Sequence, residues 1–230
     1  MMRVTRFALV WTAILLTAGV TAAQAQTPSI DEGLFYGEFA GGATLGYKSA
    51  SSVGGELGIG VLDHLWLIGD RLEIFLEGGR MRNVGTSALD ARAAIIANFI
   101  GGSASAVQKV NFGDIGVKYR GPVFARSFHP YVGIGVGVAK VETLVNFVVN
   151  GTDVTSRLSP DFGVELGNDL TDSFNKTFVT VPVGVQGNFL RRYFVDVSYR
   201  LGRILARPAD IDRDVAITTH RVQVGAGVRF

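Results

Sequence analysis

From Phe35 to Phe230 the chain repeatedly places apolar side chains at every second position, in stretches of about ten residues. Period-two alternation is the mark of a strand whose two faces meet different surroundings. Phe35, Phe39, Ala43, Leu45 and Tyr47 form the first such row, with Tyr36, Glu38, Ala40 and Thr44 between them. Seven more rows follow: Val53–Val61, Leu72–Leu76, Ile115–Tyr119, Val132–Val138, Val179–Val185, Tyr193–Leu201 and Val222–Phe230. An even number of rows, each about as long as a tilted membrane strand, predicts an all-β fold, an eight-stranded antiparallel up-and-down transmembrane β-barrel.

A soluble sandwich alternates too, so the choice rests on the second face. Here that face is mostly small, drawing on the chain's 30 glycines, with scattered charges of both signs. Small residues and paired charges suit the inside of a narrow barrel, which side chains must fill without overfilling. Pro182 stands against the pattern, because proline cannot donate a ladder hydrogen bond within a central strand.

The first residues point to export. Arg3 and Arg6 precede an apolar run from Phe7 to Val20, and Ala23-Gln24-Ala25 follows as a small-residue cleavage site. The run is shorter than the roughly 20 residues needed to span a membrane. Residues 1–25 are therefore expected to be a cleaved signal peptide and residues 26–230 the barrel domain. Loss of Arg3 and Arg6 turns 22 basic and 20 acidic residues into 20 of each, so the mature chain has no net charge with which to hold nucleic acid. Without cysteine there is no disulfide framework and no thiolate metal site. After the leader no run of 18 apolar residues occurs, so spanning falls to strands.

Orientation follows from the connections. Residues 62–71, 121–130 and 190–192 are the shorter joins; 83–107, 142–176 and 204–217 are longer and more polar, and 48–52 is short. Membrane barrels keep short turns on the periplasmic side and long loops outside. Phe35, Trp66, Phe124, Phe128, Phe189, Tyr193 and Phe230 then share the periplasmic end as an interfacial girdle. In the long loops, Asn150-Gly151 is a strong hairpin signal, with Val145 to Val149 and Thr152 to Thr155 as arms that could extend the barrel wall above the membrane, and Ala88–Ile100 is apolar enough for a short helix on the rim. Asp161, Glu165, Asp169 and Asp172 match no metal-ligand spacing and are expected to be a solvated acidic loop.

The stretches His129-Pro130-Tyr131-Val132-Gly133-Ile134-Gly135-Val136-Gly137 and Val181-Pro182-Val183-Gly184-Val185 resemble the small outer-membrane β-barrel superfamily. That superfamily includes the OmpA transmembrane domain and opacity-type porin-like proteins. The ending His220–Phe230 looks like its closing strand. The resemblance covers essentially the whole mature chain and implies location in the outer membrane. It further implies that Phe230 is an assembly signal read by the barrel-assembly machinery. It makes Pro182 less surprising; a second, peptidoglycan-binding domain of the kind OmpA carries is not expected, because the chain ends at the barrel.

Two constellations stand out once the aliphatic parity is assigned to lipid. Inside fall Glu38, Glu56, Glu73, Glu77, Asp114 and Asp196 with Lys118, Arg200, Arg221 and Arg229. Charges in a narrow lumen must be paired or hydrated. They are expected to form a polar plug, with Glu38 beside Arg221 and Arg229; the alternative is a gate in which Arg200 exchanges partners. Outward, near the extracellular ends, fall Arg80, Lys109, Lys140, Arg203 and His220, a belt placed to contact lipopolysaccharide phosphates or to rise into water.

A lipid A-modifying enzyme would need a nucleophilic or acid–base set at the outer leaflet. His64 and His129 fall at the wrong end and only His220, beside Thr218 and Thr219, is well placed. No catalytic, cofactor or metal site is therefore expected. The expected role is structural, or interactive with a host or surface ligand through the extracellular loops; a narrow channel for water or small solutes is the alternative, and the enzyme a more distant third.

Overall fold

The computed structural model describes residues 34–48, 50–67, 70–124, 127–166, 170, 173–189, 192–206 and 216–230, so the expected signal peptide lies outside the described residues. Their strands are β1 (Phe35–Leu45), β2 (Ala50–Asp63), β3 (Arg71–Met81), β4 (Ser103–Arg120), β5 (Phe128–Val149), β6 (Thr152–Asp153), β7 (Ser173–Phe189), β8 (Tyr193–Ile204) and β9 (Ile217–Arg229). Two helices, α1 (Ser87–Phe99) and α2 (Leu158–Phe162), lie in the connections at the end of the barrel opposite Phe230.

Eight strands close into a ring of antiparallel pairs, β1 bonding β9 at one seam and β4 bonding β5 at the other, while β6 pairs only with β5. A line of paired residues from Glu38 passes through Glu56, Glu77, Asp114, Gly137, Phe178, Ile204 and Ile217. Carried past its last pair, Leu45↔His220, the β9–β1 register would bring the line to position 48, just beyond β1 and ten residues above its start. That stagger sets the tilt at which a sheet of eight strands can close.

Alternation decides which side chains meet lipid. Phe39, Leu57, Leu76, Ile115, Val136, Val197 and Val224 point outward and are exposed, while Tyr36, Glu56, Phe75, Lys118, Phe194 and Arg221 point inward and are buried. At the end of the barrel that holds Phe230, Phe35, Trp66, Phe128, Phe189, Tyr193 and Phe230 itself are exposed aromatics. Phe230 faces outward, and its backbone exchanges two hydrogen bonds with Phe35, 2.9 and 3.0 Å. Trp66 is set by its turn: the buried Asp70 carboxylate accepts from the Trp66 and Leu67 N–H groups and from the Tyr119 hydroxyl. Burial alone would raise the Asp70 pKa, but these hydrogen bonds outweigh it and hold the group below the ordinary aspartate value.

Pro182 is accommodated at one opened rung. On its β8 side it pairs with Arg200, but on the β5 side the ladder skips from Val132↔Val183 to Gly135↔Thr180. Gly133 lies opposite the gap, where an added Cβ would come within 3.1 Å of the proline ring.

The loop limits read from the sequence need correction. Strand β4 begins at Ser103 and β5 runs on to Val149, so much of 83–107 and 142–149 is a ribbon rising above the barrel. Its upper part lacks a lipid-type row because its inner face is covered by the helices instead of by hydrocarbon. Leu89 and Ala93 of α1 cluster there with Ala106, and Ala97 belongs to a second cluster with Ile100, Phe147, Val154 and Leu158. The Thr86 hydroxyl caps α1 by accepting from the Leu89 N–H, 3.3 Å, and Gly101 ends the helix region with φ 71°. At the ribbon tip Asn150 and Gly151 have φ 50° and 79°, the two left-handed residues that a type I′ hairpin needs.

Candidate functional site

The lumen is filled in two layers. The lower and middle part is an ion network built from the inward positions of all eight barrel strands. Glu56 (β2) accepts from Lys118 Nζ at 2.6 Å, from the Tyr36 hydroxyl at 2.6 Å and from Arg200 at 2.8 Å. Glu77 (β3) receives Arg200 at 2.6 Å on one oxygen and Arg221 at 2.8 Å on the other. Glu73 gathers Arg229 at 3.2 Å, Arg120 at 3.1 Å and, more loosely, Lys118 at 3.9 Å. Asp114 accepts from the Thr180 hydroxyl and Asp196 from the Tyr131 hydroxyl, 2.8 and 3.0 Å.

Aromatic faces line the cations. Lys118 Nζ sits 4.8 Å from the Tyr36 ring and 4.7 Å from that of Tyr131, and the Arg229 guanidinium lies 5.0 Å from Tyr36 and 5.1 Å from Phe194. Such contacts gain strength where water is excluded.

Glu38 departs from the expected pairing. Its carboxylate oxygens have no hydrogen-bond partner among the described residues, although the side chain is buried. It lies flat against Gly225 of the neighbouring strand, where an added Cβ would come within 2.2 Å of Oε1. The long arginines of β9 reach past it, Arg221 to Glu77 and Arg229 to Glu73. Arg120 was missing from the sequence-based set, because the fourth row was read only as far as Tyr119 and the turn only from residue 121.

Above this network the lumen becomes apolar. Met81, Val84, Val110, Phe112, Ala139, Val141, Phe178, Ile204 and Ile217 form one buried cluster drawn from six of the strands and the loop after β3. Thr44 and Ser52 are the buried inward residues of the two remaining strands near this height. Phe112 and Phe178 meet with ring centroids 5.3 Å apart, and the Arg221 guanidinium lies 4.4 Å from the Phe112 ring, joining the two layers.

On the outer surface the five basic-belt positions all lie on the outward face, but they fall in two arcs. Arg80, Lys109 and Lys140 stand on adjacent strands β3 to β5, with Arg80, Asn111, Lys140 and Asn175 paired side by side along one rung. Arg203 and His220 stand on β8 and β9; Arg203 donates to Thr218 at 3.1 Å and the Tyr199 hydroxyl lies 2.5 Å from His220 Nδ1. Between the arcs β1 and β2 present Leu45 and Val53, both exposed. Arg80, Lys109, Lys140 and Arg203 each neighbour in sequence a member of the apolar lumen cluster: Met81, Val110, Val141 and Ile204. The usual parity is thus inverted at this height, polar outside and apolar inside.

A family model described as outer membrane protein beta-barrel domain matches residues 11–230. Among solved structures the chain is similar to Neisserial surface protein A, at 13% identity and TM-score 0.48, covering 85% of this chain and 97% of that one. It is also similar to the N-terminal β-barrel domain of Pseudomonas aeruginosa OprF, at 13% identity and TM-score 0.46, covering 86% and 99%. A third is Ail of Yersinia pestis, solved with the heparin analogue sucrose octasulfate, at 13% identity and TM-score 0.42, covering 85% and 96%. No curated protein matches the chain by sequence.

Burial separates the ion pairs by worth. Lys140–Glu142, 3.5 Å apart on the surface, belongs to the class worth about 0–1 kcal/mol. Removing one partner of a buried pair costs about 3–5 kcal/mol, because the other charge is stranded. Glu77→Gln is therefore expected to lower unfolding stability by about 3–5 kcal/mol and Glu142→Gln by under about 1. Urea unfolding in lipid vesicles, followed by tryptophan fluorescence, measures both; equal effects would count against a network that needs Glu77.

Proposed function

The chain belongs to the outer membrane protein β-barrel domain family, and from that premise we propose that it is a closed, lipid-anchored scaffold carrying the β4–β5 ribbon and its helices at the cell surface. Its role on this reading is structural or adhesive, through contacts of the extracellular segments with a surface or host ligand. The observation that supports closure is the apolar cluster across the lumen. Water and ions would have to cross a layer packed mainly by apolar side chains, with Thr44 and Ser52 beside them, and then a network whose arginines are already bound. A channel for water or small solutes is therefore the less favoured reading. A lipid A enzyme is less favoured still, since His220 is joined to Tyr199 on the lipid-facing side, away from the carboxylates of the lumen.

On the same reading the two basic arcs contact lipopolysaccharide phosphates. Arg80, Lys109 and Lys140 stand where the outward face changes from aliphatic to polar, and arginine and lysine bind phosphate by charge-assisted hydrogen bonds. Phe230, outward and bonded to Phe35, serves as the aromatic end of the closing strand for the barrel-assembly machinery.

In planar bilayers, wild type and Arg200→Ala are expected to give no discrete conductance, whereas joint replacement of Phe112 and Phe178 by alanine should open steps. Discrete wild-type steps would overturn closure. Lipopolysaccharide is expected to raise the thermal unfolding midpoint of wild type, and to do so much less when Arg80, Lys109 and Lys140 are all alanine. An unchanged shift in that variant would remove the arc from the account.

A further inference from the structure

A run of exposed apolar side chains on a connection marks a contact. The turn between β2 and β3 reads Leu-Asp-His-Leu-Trp-Leu-Ile-Gly-Asp-Arg from Leu62 to Arg71, and Leu62, Leu65, Trp66 and Leu67 are all exposed, Trp66 to 75%. The end of β2 adds to this surface. Gly60 pairs with Glu73 and Leu62 with Leu72, so Val61 is an extra residue in the ladder. Such a bulge re-aims the side chains beside it, and Val61 and Leu62 are exposed together where strict alternation would turn one of them inward.

The turn folds back against the outer wall. Tyr119 stands on the outward face of β4, between the buried inward residues Lys118 and Arg120. The Trp66 ring lies against it with centroids 5.1 Å apart, and the Tyr119 hydroxyl donates to Asp70 at 2.9 Å. The turn is also closed on itself. The His64 N–H donates to the Asp70 carbonyl at 2.8 Å, and the Trp66 and Leu67 N–H groups donate to the Asp70 carboxylate at 2.9 and 3.0 Å. Neither acid faces outward alone: Asp70 is buried, and Asp63 is paired with Arg71.

An aromatic girdle accounts for a ring at headgroup level, but not for leucines held on both sides of it. These leucines join the apolar wall. Leu62, Leu72 and Tyr119 share one outward rung, directly below the Ile74–Val117 rung that meets lipid. We propose that the β2–β3 turn is a membrane-inserted anchor, with Leu65, Trp66 and Leu67 among the acyl chains of phospholipid in the leaflet on the Phe230 side. The anchor holds the depth of the barrel on its β2–β4 side by aliphatic insertion as well as by rings at the interface. It rests on the lipid-anchored reading of the barrel for the position of the wall.

Because the chain has no cysteine, nitroxide labels can be placed singly on the full chain folded into phospholipid vesicles, with gel mobility of the unheated protein showing that each barrel has formed. Labels on Leu65→Cys and Leu67→Cys are expected to collide with dissolved oxygen, which partitions into acyl chains, in preference to a water-soluble nickel chelate. Their oxygen-to-nickel collision ratio should match that of Ile74→Cys on the wall. It should exceed several-fold the ratio at Asn150→Cys, which is exposed at the ribbon tip. A ratio at Leu65 or Leu67 no higher than at Asn150, with Ile74 still preferring oxygen, would overturn the anchor and mark the turn as a docking surface for a protein. A nickel preference at Ile74 as well would instead overturn the lipid-anchored reading beneath it.

Discussion

Closure of β1 onto β9 is the constraint on which the rest of this molecule depends. In hydrocarbon a backbone N–H or C=O without a partner costs several kcal/mol, so a sheet can cross a membrane only if it has no edges. Eight strands can close only with a fixed stagger, and the ten-residue climb traced from Glu38 supplies it. The same stagger decides which inward side chains meet. Lys118 pairs in register with Glu73 but makes its short bond to Glu56, two strands away. The ion network follows the tilt of the strands, not their ladder.

A barrel of this size leaves an interior that side chains must fill, and the chain fills it in two chemically different ways. Charged and aromatic residues occupy the middle, where each carboxylate of Glu56, Glu73 and Glu77 is shared by at least two bases. Toward the outside, Met81, Phe112, Phe178 and their neighbours replace charge with apolar packing. Desolvating this many charges is costly, and a pair alone seldom recovers the cost. Shared, multidentate contacts are what make the arrangement tolerable. Glu38, left without a hydrogen-bond partner, is the exception within it.

Much of this was legible in the residue pattern. Period-two rows located all eight barrel strands, and Phe230 set the parity that puts Val228 to Val222 outside and Arg229 and Arg221 inside. The largely apolar upper lumen was not legible, because the parity rule equates apolar with lipid-facing. Near the end of the barrel opposite Phe230 that rule reverses: Arg80, Lys109 and Lys140 face out while Met81, Val110 and Val141 face in. The β4–β5 ribbon was read as loop for a related reason, since Ala104 and Ala106 pack under α1 and leave no aliphatic row. Which carboxylate an arginine reaches depends on side-chain length across the lumen, as Arg221 passing Glu38 for Glu77 shows.

Sealing of the lumen by its apolar layer is the central claim, and the absence of native cysteine allows a direct test. Single cysteines at Ser87, above the layer, and at Thr180, buried below it, can be exposed from outside to a membrane-impermeant maleimide. The account predicts rapid labelling of Ser87→Cys and none of Thr180→Cys until the barrel is unfolded. Labelling of folded Thr180→Cys at a comparable rate would contradict it.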